Sequence, residues 1–290
     1  MNNRCIIDIS NFKKIKFHGL YLNVLPNDWM GMSMISNKLF EPHITKFLLN
    51  ELNSDSCFVD IGSNYGYHSI VASKFCKTVY SFEPQKIIYE SQKISIDDNK
   101  ISNINLYNYA IGDHKKLIKM MDIEYVGGGN EINVGETSIN KESLEVSDTG
   151  DTEMHTLDSL IKNKIDIIKI DVQGFEKFVL QGSMNVISLF KPSIIVEIEN
   201  HQLGKFGYNS EQLFSIIKKL NYNIYLLDSF YPSDFVCISK DKKYDFQNKN
   251  KEFIKPILTD NGLNNCLSYG ITEKISYSDE ITHHTIKSLW

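Results

Sequence analysis

Apolar residues gather in short runs, and between those runs they return every third or fourth position, so strands and helices are predicted in alternation. Lys14-Ile15-Lys16-Phe17-His18 and Tyr21-Leu22-Asn23-Val24-Leu25 alternate apolar with polar across Gly19, as a small hairpin does. Phe40 to Leu52 has a helical period with Pro42 near its start. Cys57-Phe58-Val59-Asp60-Ile61 and Val79-Tyr80-Ser81-Phe82 read as buried strands, and residues 85–98 as the helix leading to a third strand, Ile104-Asn105-Leu106-Tyr107-Asn108. Further on, Thr156 begins a helix, and the run from Ile165 to Asp171 is apolar enough to be a central parallel strand. Gly174 to Ile187 is a helix, Ser193 to Asn200 a fifth strand, and helix 210–220 with strands 223–227 and 234–238 completes the pattern. The sum is an α/β fold with a doubly wound, mostly parallel seven-stranded sheet. Residues 1–50 form a hairpin and helix extension, 51–240 the cofactor-binding domain, and 241–290 a polar C-terminal extension.

One stretch breaks the alternation. From Gly112 to Gly150 the chain turns polar and glycine-rich, with Gly127-Gly128-Gly129-Asn130, so no regular core element is expected there. Such an excursion is either a loop over a substrate or a linker.

In doubly wound sheets ligands bind beyond the carboxyl ends of the strands near the switch point, which gathers Asp60, Glu83, Asp171 and Glu197 around one crevice. Gly62 and Gly66 supply positive φ or close backbone approach where a helix opens after the first strand. About 20 residues after that turn, Glu83 ends the second strand, where a carboxylate can accept both hydroxyls of a ribose. The turn is G-S-N-Y-G and not G-x-G-x-x-G, and Asp60 before it suits a cationic amino-acid head group better than a pyrophosphate. S-adenosylmethionine is therefore favoured over NAD.

Composition narrows the partners. The chain has 290 residues and a formal net charge of -5, with no global basic field of the kind a large nucleic-acid surface requires. Small or neutral substrates fit better. Cys5, Cys57, Cys76, Cys237 and Cys266 are scattered without C-x-x-C pairs, as reduced intracellular thiols are. No long apolar stretch and no signal-peptide core is present, so the expectation is a cytoplasmic protein without a membrane span.

F-V-D-I-G-S-N-Y-G, Y-S-F-E-P, N-Y-A-I-G-D, T-L-D-S-L and I-D-I-I-K-I-D-V-Q-G-F-E-K-F-V-L-Q-G together resemble the FkbM family of S-adenosylmethionine-dependent methyltransferases over about residues 40 to 200. The resemblance implies a class I methyltransferase fold and methyl transfer to a hydroxyl of a sugar, glycan or glycosylated small molecule. It implies that Asp60, Gly62, Ser63, Asn64 and Gly66 surround the methionine and ribose portions of the cofactor. Glu83 with Pro84 then holds the ribose, and the segment from Asn108 to Ala110 borders the adenine. Gln173 stands where the family often has Glu.

For a hydroxyl acceptor the chemistry needs a base or a Lewis acid, and the candidates are Asp171, Glu197, Glu199 and His201. Asp171, Asp171's neighbouring strand end Glu199-Asn200, and their all-oxygen donors are similar to the arrangement with which catechol-type O-methyltransferases hold magnesium, so a divalent metal is left open beside the plainer reading of strand-end caps. His68 reads as a packed residue, and so by default do Tyr65, Tyr67, Phe175 and Phe178. The alternatives are an RNA or protein acceptor, with the 112–150 excursion as recognition loop, and a cofactor-binding module without chemistry.

Overall fold

Burial on both faces is what makes the centre of the sheet parallel. In the computed structural model β3 (Cys57–Ile61) and β9 (Ile167–Ile170) are buried at every residue, and they pair in parallel with Asp60 opposite Lys169. The structure describes residues 7–123, 131–145, 150–227, 233–242 and 254–256. The readings of Gly127-Gly128-Gly129-Asn130, of Cys5 and Cys266, and of most of the 241–290 extension fall outside them.

The hairpin β1 (Lys13–Phe17) and β2 (Leu20–Val24) leads through α1 (Trp29–Asn37) and α2 (Pro42–Glu51) to β3. From β3 the chain winds one way, through α3 (Tyr67–Ala72), β4 (Thr78–Phe82) and α4 (Lys86–Asp98) to β5 (Ile104–Tyr107). A small outlying sheet follows, made of β6 (Tyr109–Ile111), β7 (Lys116–Ile118) and β8 (Thr152–His155) in the order β6-β8-β7, with α5 (Glu142–Glu145) between β7 and β8. Past α6 (Leu157–Leu160) the chain returns to the centre as β9 and winds the other way. It passes α7 (Glu176–Gln181), α8 (Met184–Phe190), β10 (Ser193–Ile198), α9 (Asn200–Lys205), α10 (Ser210–Lys219), β11 (Tyr222–Leu227) and β12 (Ser233–Ser239). The short β13 (Ile254–Pro256) pairs with β11 and adds an eighth strand to the expected seven.

The order β13-β11-β12-β10-β9-β3-β4-β5, with β12 antiparallel to both neighbours, is the class I methyltransferase arrangement. The switch point lies between β3 and β9, so the crevice beyond their carboxyl ends is where a ligand fits.

The N-terminal extension is welded to this body. Leu22, Val24 and Met34 share one buried apolar cluster with Tyr65, Tyr67 and Ile70 of the turn and first helix. Asn23 N donates to Ser95 Oγ of α4 at 2.9 Å.

Four readings of the sequence need correction. The 112–150 excursion holds regular structure after all: β7, a short turn of 3₁₀ helix at Val134–Glu136, α5, and the buried residues Ile118, Ile132, Val134 and Ile139. Its apolar residues are too sparse to give a period, yet these four are buried one by one. The helix expected over 174–187 is two helices, because the Asp158 carboxylate accepts from Asn185 N and Val186 N at 3.0 and 2.9 Å and caps a new start. The strand expected over 104–108 ends at Tyr107, and the fifth strand ends at Ile198, so that Glu199 caps α9 and Asn200 begins it. Helix α1 had no reading of its own; its signal was Asp28, which accepts from Gly31 N at 3.0 Å as a helix cap.

Candidate active site

A cavity of about 330 Å³ opens at the carboxyl ends of β3, β4, β9 and β10, within the size range of small-molecule sites. Three separate parts of the chain wall it. The β3 and β4 ends contribute Gly62, Asn64, Glu83 and Pro84, and the β9 and β10 ends contribute Asp171, Gln173, Glu197 and Glu199. The third wall comes from Trp29, Met30 and Glu41 of the extension together with residues 133–139 of the excursion.

The first wall exists because of a backbone approach. Gly62 has φ +79°, and a Cβ there would lie 1.8 Å from the carbonyl oxygen of Asp171, so β3 turns tightly against β9 only with glycine. Asn64 also lies in the left-handed region, with φ 51°. This turn brings Asn64 N to Glu83 Oε2 at 2.8 Å, while Gln85 N donates to Glu83 Oε1 at 2.8 Å. Glu83 is 6% exposed. Burial pushes its carboxyl up to about 7, and the two amides pull only part of the way back.

Of the residues expected at the cofactor, Gly62, Asn64, Glu83, Pro84 and Ala110 line the cavity. Asp60, Ser63, Gly66 and Asn108 stand behind it. Asp60 is 1% exposed under α3, its Oδ2 accepts from Ser69 Oγ at 2.7 Å, and its Oδ1 is buried without a hydrogen-bond partner. Ser63 Oγ donates to Gln92 Oε1 at 3.0 Å, Gly66 precedes α3, and Asn108 Nδ2 ties the turn after β4 by donating to the carbonyl oxygens of Glu83 and Pro84.

The second wall is a chain of charges. Lys169, 4% exposed, points from β9 to the side of Asp171, two residues on and on the same strand face, with Nζ 3.0 Å from Asp171 Oδ2. Gln173 Nε2 donates to Asp171 Oδ1 at 3.0 Å and to Glu197 Oε2 at 2.8 Å. Burial works against ionising Asp171, but the Lys169 ammonium and the donors around it hold its carboxyl below the usual range. Glu197 goes the other way: burial, then the charges of Asp171 and Asp234, raise it well above the carboxylate range. Burial opposes the charge on Lys169 as well, and Asp171, Glu41 and Asp60 outweigh it, so the ammonium is kept.

His201, the third catalytic candidate, is exposed on α9 and does not line the cavity. The donors do not fit a resident magnesium ion. Asn200 Oδ1 already accepts from Ser210 N at 2.9 Å, both oxygens of Asp171 hold donors, and among the described residues no group of three or more His, Cys, Asp or Glu can hold a metal. His68 is packed as expected. Its Nε2 meets Glu41 Oε2 at 2.8 Å, and burial lowers its ring to about 3.

The third wall is pinned by a residue with no sequence reading. Asp28 is fully buried; its Oδ1 accepts from Val134 N at 2.8 Å, and its Oδ2 accepts from Gly31 N and Tyr65 OH, each at 3.0 Å. One carboxylate thus ties the excursion, α1 and the glycine turn together. Lys169, Glu41 and Asp28 were the residues missed. The usable signals were a lysine inside an apolar strand two positions before an acid, and an acid at a helix start.

Against models of known families, residues 60–224 match the Methyltransferase FkbM domain. Among solved structures, the chain is similar to the methyltransferase FkbM of Methylobacillus flagellatus KT, with 16% identity and a TM-score of 0.44 over 63% of this chain and 43% of that one. It is similar also to a methyltransferase of Streptococcus mutans crystallised with S-adenosylhomocysteine, with 11% identity and a TM-score of 0.44 over 69% and 98% of the two chains. An rRNA methylase of Streptococcus thermophilus gives 14% identity and a TM-score of 0.42 over 67% and 91%. The match thus spans less than half the length of the Methylobacillus protein. No curated protein matches the chain. The matched domain takes in the glycine turn, the acid ending β4 and the acid-bearing ends of β9 and β10, more than half of the sequence, and the chain belongs to the FkbM family of S-adenosylmethionine-dependent methyltransferases.

Proposed function

We propose that the protein methylates a hydroxyl group of a sugar, glycan or glycosylated small molecule. The observation that carries the reading is the junction inside one cavity of the glycine turn with a carboxylate, Asp171, that is held ionised beside it. S-adenosylmethionine, when bound, supplies an activated methyl group on a sulfonium that is already a good leaving group. Gly62, Asn64, Glu83, Pro84 and Ala110, which line the cavity together, would hold it.

The acceptor lies toward Asp171 and Glu197. With the cofactor bound to supply the methyl group, the Asp171 carboxylate would take the proton of the acceptor hydroxyl. A base so placed contributes about 10²- to 10⁴-fold. Holding the oxygen in line contributes more, roughly 7 to 11 kcal/mol.

The rest of the lining supports a sugar. Asn133, Thr137 and Ser138 offer amide and hydroxyl groups, and Trp29, 69% exposed, stands at the mouth as an aromatic face for a pyranose ring. Among the described residues Glu41, Glu83, Glu136, Asp171, Glu197 and Glu199 line the cavity, while no Lys or Arg does. That charge favours a neutral or cationic acceptor and speaks against RNA, whose binding rests on basic contacts to phosphate.

The test is S-adenosylhomocysteine release in the presence of free glycosides, amino sugars and nucleotide-sugars. Methylated product from glycosides, with little from nucleotide-sugars, is the expected outcome. Turnover on RNA or protein alone would replace this reading.

A further inference from the structure

The acid pair at the ends of β9 and β10 is built asymmetrically, and the cause is two side chains, the buried Lys169 and the neutral Gln173 in the cavity wall. Both oxygens of Asp171 are engaged from inside the protein: Oδ2 by Lys169 Nζ at 3.0 Å and Oδ1 by Gln173 Nε2 at 3.0 Å. Among the described residues no cation pairs with Glu197: it takes the second hydrogen of the Gln173 amide at 2.8 Å and shares a hydrogen bond with Asp171. Gln173 makes this bridge from a left-handed backbone with φ 53°, a conformation a non-glycine residue keeps only where its surroundings enforce it.

We propose that Lys169 and Gln173 are positioning residues that assign the roles within the pair: Lys169 makes Asp171 the ionised partner and base, and Gln173 fixes Glu197 beside it as the proton-bearing partner. The proposal rests on the reading of Asp171 as base in methyl transfer. A neutral amide is the one group of this shape that can donate to both acids. Glutamate in its place puts a third carboxyl between two others, and like charges this close cannot all ionise. Around the pair stand the acids Glu41 ahead of α2, Glu83 after β4 and Glu176 on α7 near Asp171, Asp60 on β3 beside Lys169, and Asp234 on β12 toward Glu197, with His43 of α2 against Asp234 at 2.6 Å and His68 of α3 against Glu41 at 2.8 Å. Lys169 is thus the cation on which the ionised state of Asp171 depends. Burial and the neighbouring Asp171 charge act together to keep the proton on Glu197.

The experiment follows the carboxyl groups by difference infrared spectroscopy from about pH 3 to 9 in the full chain saturated with S-adenosylhomocysteine. Asp171→Asn and Glu197→Gln assign the bands. In the wild type the protonated band of Glu197 persists through neutral pH, while that of Asp171 is absent. Lys169→Met moves the Asp171 titration up by about two pH units, Lys169→Arg restores it, and Gln173→Glu raises it by about one. Should Lys169→Met not fold, Gln173→Glu, at a partly exposed turn, carries the test alone.

An Asp171 band unmoved by these changes, or a shift shared by every carboxyl in the protein, would overturn the assignment. The same shifts are expected on the acid limb of the kcat profile once an acceptor is in hand, with KM for S-adenosylmethionine far less affected. Infrared shifts as expected, together with no turnover of any glycoside, would overturn the acceptor reading and leave the assignment of roles standing.

Discussion

The two sides of the cavity are made by different means. The side proposed for the cofactor, from Gly62 to Ala110, is one strand-turn-helix-strand unit whose parts are neighbours in sequence, and its geometry is set by backbone: a glycine at φ +79° and amides aimed at Glu83. The side proposed for the acceptor is assembled from Trp29 and Glu41, from residues 133–139 and from the ends of β9 and β10, and its geometry is set by buried side-chain charge. Backbone geometry tolerates almost no substitution but is indifferent to pH. Charge geometry tolerates isosteric substitution and responds to pH at once.

The largest effect should come from breaking the backbone side. Gly62→Val places a Cβ 1.8 Å from the Asp171 carbonyl oxygen at a φ unsuited to a branched residue, so the turn and the end of β9 must part. Loss of S-adenosylhomocysteine binding by at least about 100-fold is expected, read by calorimetry. Near wild-type affinity would mean that the ligand lies elsewhere in the cavity. Next is Asp28→Ala, which removes a helix cap and leaves Val134 N and Tyr65 OH without their acceptor. Destabilisation of about 2 to 4 kcal/mol is expected in urea unfolding. A change under about 1 kcal/mol would show that the third wall is held by its apolar contacts instead.

This division also explains what was legible in the chain. Gly62, Asn64, Glu83 and Ala110 could be placed at the cavity because contiguous residues with a fixed offset carry the geometry, and the seven core strands could be found because each is a short run rich in apolar residues. Lys169 stood in plain sight inside I-I-K-I-D, but its meaning depends on Glu41 and Asp60, which act on it from two other parts of the chain. His201 misled for the complementary reason. Its place after the fifth strand predicted a rim position, whereas β10 ends early and the first turn of α9 carries the ring into solvent. The excursion deceived because Ile118, Ile132, Val134 and Ile139 are buried one at a time, with no period to announce them.

Glu83 belongs to both regimes, since backbone amides hold a titratable group. Glu83→Gln keeps the shape but turns one amide contact into a clash of donors and removes the charge. Affinity for S-adenosylhomocysteine should fall about 10- to 100-fold. Stability should move in the opposite direction at alkaline pH. The folded-state value is raised from 4.5 to about 7, so the native protein binds more protons than the unfolded chain in between, and this contribution is fully present below about 4.5 and lost as pH rises through about 7. His68, lowered to about 3, gives the opposite slope below 6.5, so the wild-type curve alone cannot isolate Glu83. The difference between variant and wild type can: Glu83→Gln should gain relative stability from pH 5 to pH 8 by on the order of 2 to 3 kcal/mol. A flat difference would place Glu83 in contact with water or a cation that relieves its burial.

The smallest expected effect probes the acceptor mouth without touching either mechanism. Trp29 is 69% exposed, and its N donates to the Ile132 carbonyl at 3.2 Å, so Trp29→Ala leaves that backbone tie and the Asp28 cap in place. An aromatic face against a sugar ring contributes about 0.5 to 1.5 kcal/mol, which raises KM for a glycoside acceptor about threefold to tenfold. Because Trp29 makes no contact with the acid pair, kcat should stay within about twofold and its pH profile should not move. A drop in kcat at unchanged KM would instead make Trp29 part of the closure that keeps water from the methyl group, and would shift the acceptor inward, toward Phe175 and the ends of β9 and β10.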